Sequence, residues 1–268
     1  MSEALTSFSD ASRIEPVGVG AFAGDIPVDW AQGRTAFGGL AAALQIHAVQ
    51  ALPEVAGLPV RSVDAAFIGP VAPGPVRVRA EVLRQGRNLT HAAAELRGPT
   101  DPAPLARIHV ILGHLRDSQV VVDAPEPVVT PIEDCIEMPY LPGITPDFTR
   151  NLDFRFASGF PYSGGSDARI TGWCRHRADE RGVSAIAALV DAWPGTVLPL
   201  LTEPAPASTV RWSLQFPGDE EPRGDDWYWY TSDTPSAAGG YSTMTAQLWF
   251  GGRLLSWSEQ LLAIFDRR

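Results

Sequence analysis

The run LAAALQIHAVQAL, residues 40–52, decides the fold of this chain. It follows the pair Gly38-Gly39, is rich in Ala and Leu, and is long enough for three turns, so it reads as a helix. Its apolar residues run nearly all the way round, so the helix must be enclosed rather than laid on a surface. What encloses it stands next in the chain. RSVDAAFIGPV, residues 61–71, is an extended segment stopped by Gly69-Pro70. VRVRAEVLR, 76–84, alternates apolar and charged side chains as a half-buried strand does, and Gly86 marks a turn. LTHAAAELR, 89–97, and LARIHVILGHL, 105–115, complete a sheet.

The same order returns further on. NLDFRFASGF, 151–160, and RITGWCRHR, 169–177, read as strands, and VSAIAALVDAW, 183–193, is a short Ala-rich helix stopped near Pro194-Gly195. STVRWSLQFPG, 208–218, DWYWYTSDT, 226–234, YSTMTAQLWF, 241–250, and LLSWSEQLLAIF, 254–265, are strands separated by Gly- and Pro-bearing turns. Each half is therefore one apolar helix followed by four strands. An antiparallel sheet wrapped around a single helix satisfies that order, which makes the class α+β and the architecture a tandem double hotdog. A lone wrapped sheet leaves edge strands and an open face, and a second copy in the same chain covers them. The expected division is an N-terminal repeat over 1–115, a connector over 116–150 and a C-terminal repeat over 151–268. The connector, with DAPEPVVTPIEDC and PYLPGITPDF, is rich in Pro and acidic residues and reads as a crossing over the surface.

Composition narrows the function. The net charge is −10, so phosphate backbones and anionic lipid gain nothing from this surface, and nucleic acid is not an expected partner. All 21 cationic Lys-or-Arg positions are Arg, which excludes a Schiff-base lysine and the lysine-bearing phosphate loop. No run of about 18 apolar residues predicts a membrane span. The N-terminus MSEALTSFSD has no leader pattern. With Cys135 and Cys174 far apart and outside any ligand spacing, a reducing cytoplasm is the expected setting.

Several residues resemble the type II acyl-CoA thioesterases, whose members are double hotdogs. Gly38-Gly39 precedes the first helix. SVDAAFIGP, 62–70, stands where the family carries a His-rich strand ending Phe-Leu-x-Pro-Gly. Arg84-Gln85-Gly86-Arg87-Asn88-Leu89 is similar to the family's Arg-Asp-Gly-Arg-Ser-Phe turn. The chain departs from the pattern at Asp64, where the family often has His, at Gly69-Pro70-Val71, and after Asn88. The resemblance implies a catalytic trio: an Asp at the end of the second helix, a Thr on the next strand and a Gln on the last. Asp191, Thr209 and Gln260 match those places.

The implied reaction is hydrolysis of an acyl-CoA or other acyl thioester, with no cofactor and no metal. Asp191 would act as general base or water orienter, with Thr209 and Gln260 positioning that water. Backbone N–H groups near Gly38-Gly39 would face the carbonyl oxygen, because Gly permits close approach and a helix start favours negative charge. Arg84 and Arg87 are the candidates for coenzyme A phosphates. The first repeat offers Gln45, Ser62 and Val110 at the equivalent places, without a carboxylate, so one active site per chain is expected. The alternatives are a non-catalytic acyl-thioester-binding protein and a hotdog hydratase or dehydratase. The latter's Asp-and-His pair is missing from WAQGRTAFGG, 30–39, and from Asp25-Ile26-Pro27. The chain is expected to stand alone or to form a homodimer or higher homo-oligomer.

Other signals carry less. GVGAFAG, 18–24, lacks the dinucleotide-loop spacing and a following helix, and there is no G-x-S-x-G elbow. His109 and His114 are at a spacing that aims them at opposite faces of a strand, against a metal site. His47 reads as a hydrogen-bonded core or interface histidine. Trp227, Tyr228, Trp229 and Tyr230 alternate, so one pair is expected in the core and the other on the surface or against a partner.

Overall fold

The computed structural model describes residues 5–219 and 226–266. A single helical turn, α1 (Phe8–Ala11), is capped by the Ser7 hydroxyl, which accepts from the Asp10 N–H. A hairpin of β1 (Ile14–Gly18) and β2 (Ala21–Ile26) follows, then the two-residue strands β3 (Ala31–Gln32) and β4 (Thr35–Ala36). The apolar run forms α2 (Gly38–Gln50), and β5 (Val60–Phe67), β6 (Gly74–Gln85), β7 (Thr90–Arg97) and β8 (Ala106–Leu112) wrap it. The second half supplies β9 (Ile136–Glu137), β10 (Leu152–Ser158), β11 (Arg169–His176), α3 (Val183–Asp191), β12 (Ala207–Gln215), β13 (Tyr228–Ala238), β14 (Tyr241–Phe250) and β15 (Arg253–Ile264).

GVGAFAG turns out to be regular structure: it closes the β1–β2 hairpin. Gly20 sits at φ +62, where an added Cβ would lie 2.5 Å from the Ala80 carbonyl oxygen. Its short side chains hide the period-two alternation that marks a strand, so sequence pattern alone leaves it irregular.

All strands but β3 and β4 join one 13-stranded sheet, in the order β1-β2-β6-β7-β8-β5-β12-β15-β14-β13-β11-β10-β9. At its centre β5 and β12 pair antiparallel, Ser62 opposite Gln215 and Ala66 opposite Arg211. The two halves thus join edge to edge, each curling around its own helix: an α+β double hotdog. The helices lie antiparallel against each other, because Gly39 at the start of α2 abuts Ala188 late in α3 while His47 late in α2 meets Ser184 at the start of α3. Leu40, Leu44, Ile46 and Val49 of α2 are fully buried, each stabilising the fold by about 1.5–3 kcal/mol relative to exposure.

The connecting stretch packs on the outer face of the second half of the sheet. β9 pairs with β10, and the Thr130 carbonyl accepts from the Trp173 indole at 2.8 Å. Trp173 in turn meets Trp229 edge to face at 5.1 Å. This corrects the expectation for the aromatic run: Tyr228 and Tyr230 enter the core, and Trp229, on the other face, is buried too. Among the described residues no helix is long and apolar enough to cross a membrane.

Candidate active site

Asp191 is the last residue of α3, reaching across the helix pair to the start of α2. The first N–H groups of any helix have no partner within it. Phe37, at the N-cap of α2, gives no side-chain bond there. The Asp191 carboxylate fills that role from the other half of the molecule, accepting from the Gly39 N–H. Glycine is needed for the approach: a Cβ on Gly38 would lie 2.8 Å from Asp191 Oδ2, and one on Gly39 would meet the Phe37 ring and Ala188 Cα.

The other carboxylate oxygen, Oδ1, accepts from Gln260 Nε2 at 3.0 Å, and Gln260 Oε1 accepts from the Thr209 hydroxyl at 3.2 Å. Gln260 is buried on β15 beside Trp212 and Met244, where an unpaired amide would be costly. Both ends of its amide are satisfied by this chain of bonds. Asp191 keeps partial solvent access but sits deep among protein atoms. Burial therefore outweighs the two donors that favour the anion, and its pKa is pushed up to about 7.

Thr209 reaches this network through a defect in β12. Trp212 and Leu214 point into the core, so strict alternation would send Thr209 outward. Between Thr209 and Arg211 the register slips by one residue against β15, leaving Val210 as an exposed extra. The bulge returns Thr209 to the inner face.

Asp191, Thr209, Gln260, Gly38 and Gly39 thus meet at one point. Arg84 and Arg87 do not. They are exposed at the β6–β7 turn, where neighbouring Gln85 bonds the Glu54 carbonyl just past the far end of α2. That is a helix length, about 18 Å, from Gly38. The Gly39 N–H also differs from expectation, since it holds the carboxylate rather than standing open for a carbonyl oxygen.

The first repeat lacks this network, with partners other than those expected. β5 carries a matching slip between Val60 and Ser62 against β8, so Val60 rather than Ser62 stands where Thr209 does, and Val110 replaces Gln260. His47, not Gln45, faces the start of the opposite helix. Gln45 turns back on its own helix, donating to the Ala41 carbonyl. Nothing in residue spacing separates positions 45 and 47; the rotation of α2 in its sheet does.

Beside Asp191, Trp193 stacks on Tyr230 at 4.6 Å and meets Phe156 edge-on at 4.9 Å. Gly172 clears the space, since a Cβ there would sit 2.7 Å from Trp193. No group of three or more His, Cys, Asp or Glu side chains among the described residues is placed to hold a metal ion.

A model of the acyl-CoA thioesterase N-terminal domain matches residues 26–113, and one of the acyl-CoA thioesterase C-terminal domain matches 132–264. The chain belongs to the acyl-CoA thioesterase family. Among solved structures similar to this family member is a hotdog-fold protein of unknown function from Alicyclobacillus acidocaldarius, 21% identical, with a TM-score of 0.87, covering 99% of this chain and 100% of its own. An acyl-CoA thioesterase II from Mycobacterium marinum is 17% identical with a TM-score of 0.77, covering 96% and 98%. A tesB protein from Mycobacterium avium subspecies paratuberculosis is 19% identical with a TM-score of 0.78 over the same shares. At these identities the likeness is one of fold. No curated protein matches the sequence significantly.

Proposed function

We propose that this family member hydrolyses an acyl-CoA or related acyl thioester, with Asp191 as the general base. The observation that carries this is the Asp191 carboxylate itself, with a pKa near 7, tied to Gln260 and to the start of α2. A base with that pKa is half ionised at neutral pH and strong enough to take a proton from an attacking water. As the water oxygen bonds to the carbonyl carbon, its proton passes to Asp191. The tetrahedral intermediate then collapses, the C–S bond breaks, and the departing thiolate takes the proton back.

Gln260 and Thr209 fix the carboxylate and the water. The developing oxyanion is met by the positive end of α2. The aromatic wall of Trp193 and Tyr230 supplies a dry flank for the acyl group.

The test is free-thiol release from a panel of short, long, branched and aromatic acyl-CoA esters, comparing wild type with Asp191→Asn. Loss of at least about 100-fold in the folded variant is expected. Unchanged turnover removes Asp191 from the mechanism. A wild type inactive on every ester points to non-catalytic binding instead.

A further inference from the structure

At the other end of the helix pair lies a half-open cavity of about 370 Å³, within the usual size range of small-molecule sites. His47, Val60, Ile186, Phe216 and Leu255 line it, together with Ser184 at the start of α3. It stands to α3 as the Asp191 site stands to α2, but its polar groups are of another kind.

His47 Nδ1 lies 2.9 Å from the Ser12 carbonyl oxygen, and Nε2 lies 2.7 Å from Ser184 Oγ. A carbonyl only accepts, so in the neutral ring Nδ1 carries the proton and Nε2 presents its lone pair to Ser184. Burial keeps the imidazole neutral by lowering its pKa. Ser184 therefore donates its hydroxyl proton to a base whose far side is anchored: nucleophile, base and orienter in sequence. The hydroxyl also sits on the second residue of α3, where the leading N–H groups have no partner within the helix and the dipole favours a negative oxygen.

We propose that this cavity is a second acyl-transfer site, with Ser184 as nucleophile and His47 as base, that accepts a short acyl ester or thioester. Ser184 Oγ bonds to the carbonyl carbon while its proton moves to His47 Nε2. The bond to the leaving oxygen or sulfur breaks, and the leaving group takes that proton. Water, deprotonated in turn by His47, then attacks the acyl-serine, releasing the acid and restoring the hydroxyl. This does not rest on the Asp191 reading.

The full chain would be treated with a fluorophosphonate, which phosphonylates activated serines with loss of fluoride, and its turnover of p-nitrophenyl butyrate followed. One phosphonyl group per chain, located by fragmentation to Ser184 in the peptide from Gly182 to Arg211, is the expected result. Ser184→Ala, shown folded by its melting curve, should lose the label and the burst of p-nitrophenol. His47→Gln should slow labelling by at least about 100-fold. Asp191→Asn should be labelled at the wild-type rate, which separates this site from the other. An unlabelled folded wild type, or label persisting in Ser184→Ala, would overturn the proposal and leave the pair as an interhelical hydrogen bond.

Discussion

Asp191 keeps two hydrogen-bond donors and still titrates near 7, so burial governs its chemistry. As the base, it should make kcat/KM rise about tenfold per pH unit below 7 and level off above, measured by thiol release from pH 5.5 to 8.5. A flat profile would exclude it. The same group bears on stability. Its folded pKa of about 7 exceeds the ordinary 3.8, so the stability it contributes is complete below about 4 and is lost as pH rises towards 7. His176 does the opposite: buried, with Nε2 on the Ala185 carbonyl, its pKa falls from 6.5 to about 4. Its contribution is present above 6.5 and lost as pH falls to about 4. Each slope is at most about 1.4 kcal/mol per pH unit, so between about 4 and 6.5 they largely offset. Melting temperatures against pH should be nearly level for wild type. Asp191→Asn should lose stability in acid and His176→Gln should gain it; two variants that simply parallel wild type would refute the shifts. The trio was legible because the resemblance to the type II acyl-CoA thioesterases names the elements on which to look for an Asp, a Thr and a Gln. His47 with Ser184, and the Gly39 bond to Asp191, were not legible, because both are contacts between elements distant in the chain.

At the level of the strand, β12 shows what alternation does and does not reveal. Its core positions, Trp212 and Leu214, follow the period of two, but no side chain in Ser208-Thr209-Val210-Arg211 announces an extra residue. Only the pairing with β15 does. Deleting Val210 should leave Thr209 on the inner face, because Thr209 and Arg211 already pair with the consecutive residues Leu262 and Leu261. Thr209→Val, which leaves Gln260 without its donor, should lower the thiol-release kcat by about 10–100-fold, while the deletion of Val210 keeps it near the wild-type value. A deletion variant as slow as Thr209→Val would show that Thr209 does not keep its inward place once the extra residue is gone. The β1–β2 hairpin is hidden in the sequence for a similar reason, its Gly- and Ala-rich stretch having no alternation to read.

Across the whole molecule, two enclosed helices demanded a wrapped half for each, and that much followed from apolar patterning; that the halves join as one continuous sheet did not. The cover that the connecting stretch gives Trp173 and Trp229 did not, because a Pro-rich acidic segment carries no periodic signal of what it packs on. That stretch also has a topological role. Residues 113–131 contain no helix or strand, yet they tether halves whose seam, β5 against β12, is an ordinary antiparallel pairing. Nothing in such a seam distinguishes a half from the same chain from one on another copy; only the slack of the tether favours the former. Removing residues 117–124 should therefore replace closure within one chain by exchange between two, each half closing on its neighbour's complement. Light scattering of the shortened chain would show doubled mass with the melting temperature retained, whereas an unchanged mass would mean that the remaining tether still spans the seam. Exchange of this kind would leave every site intact, but each would then be assembled from two polypeptides.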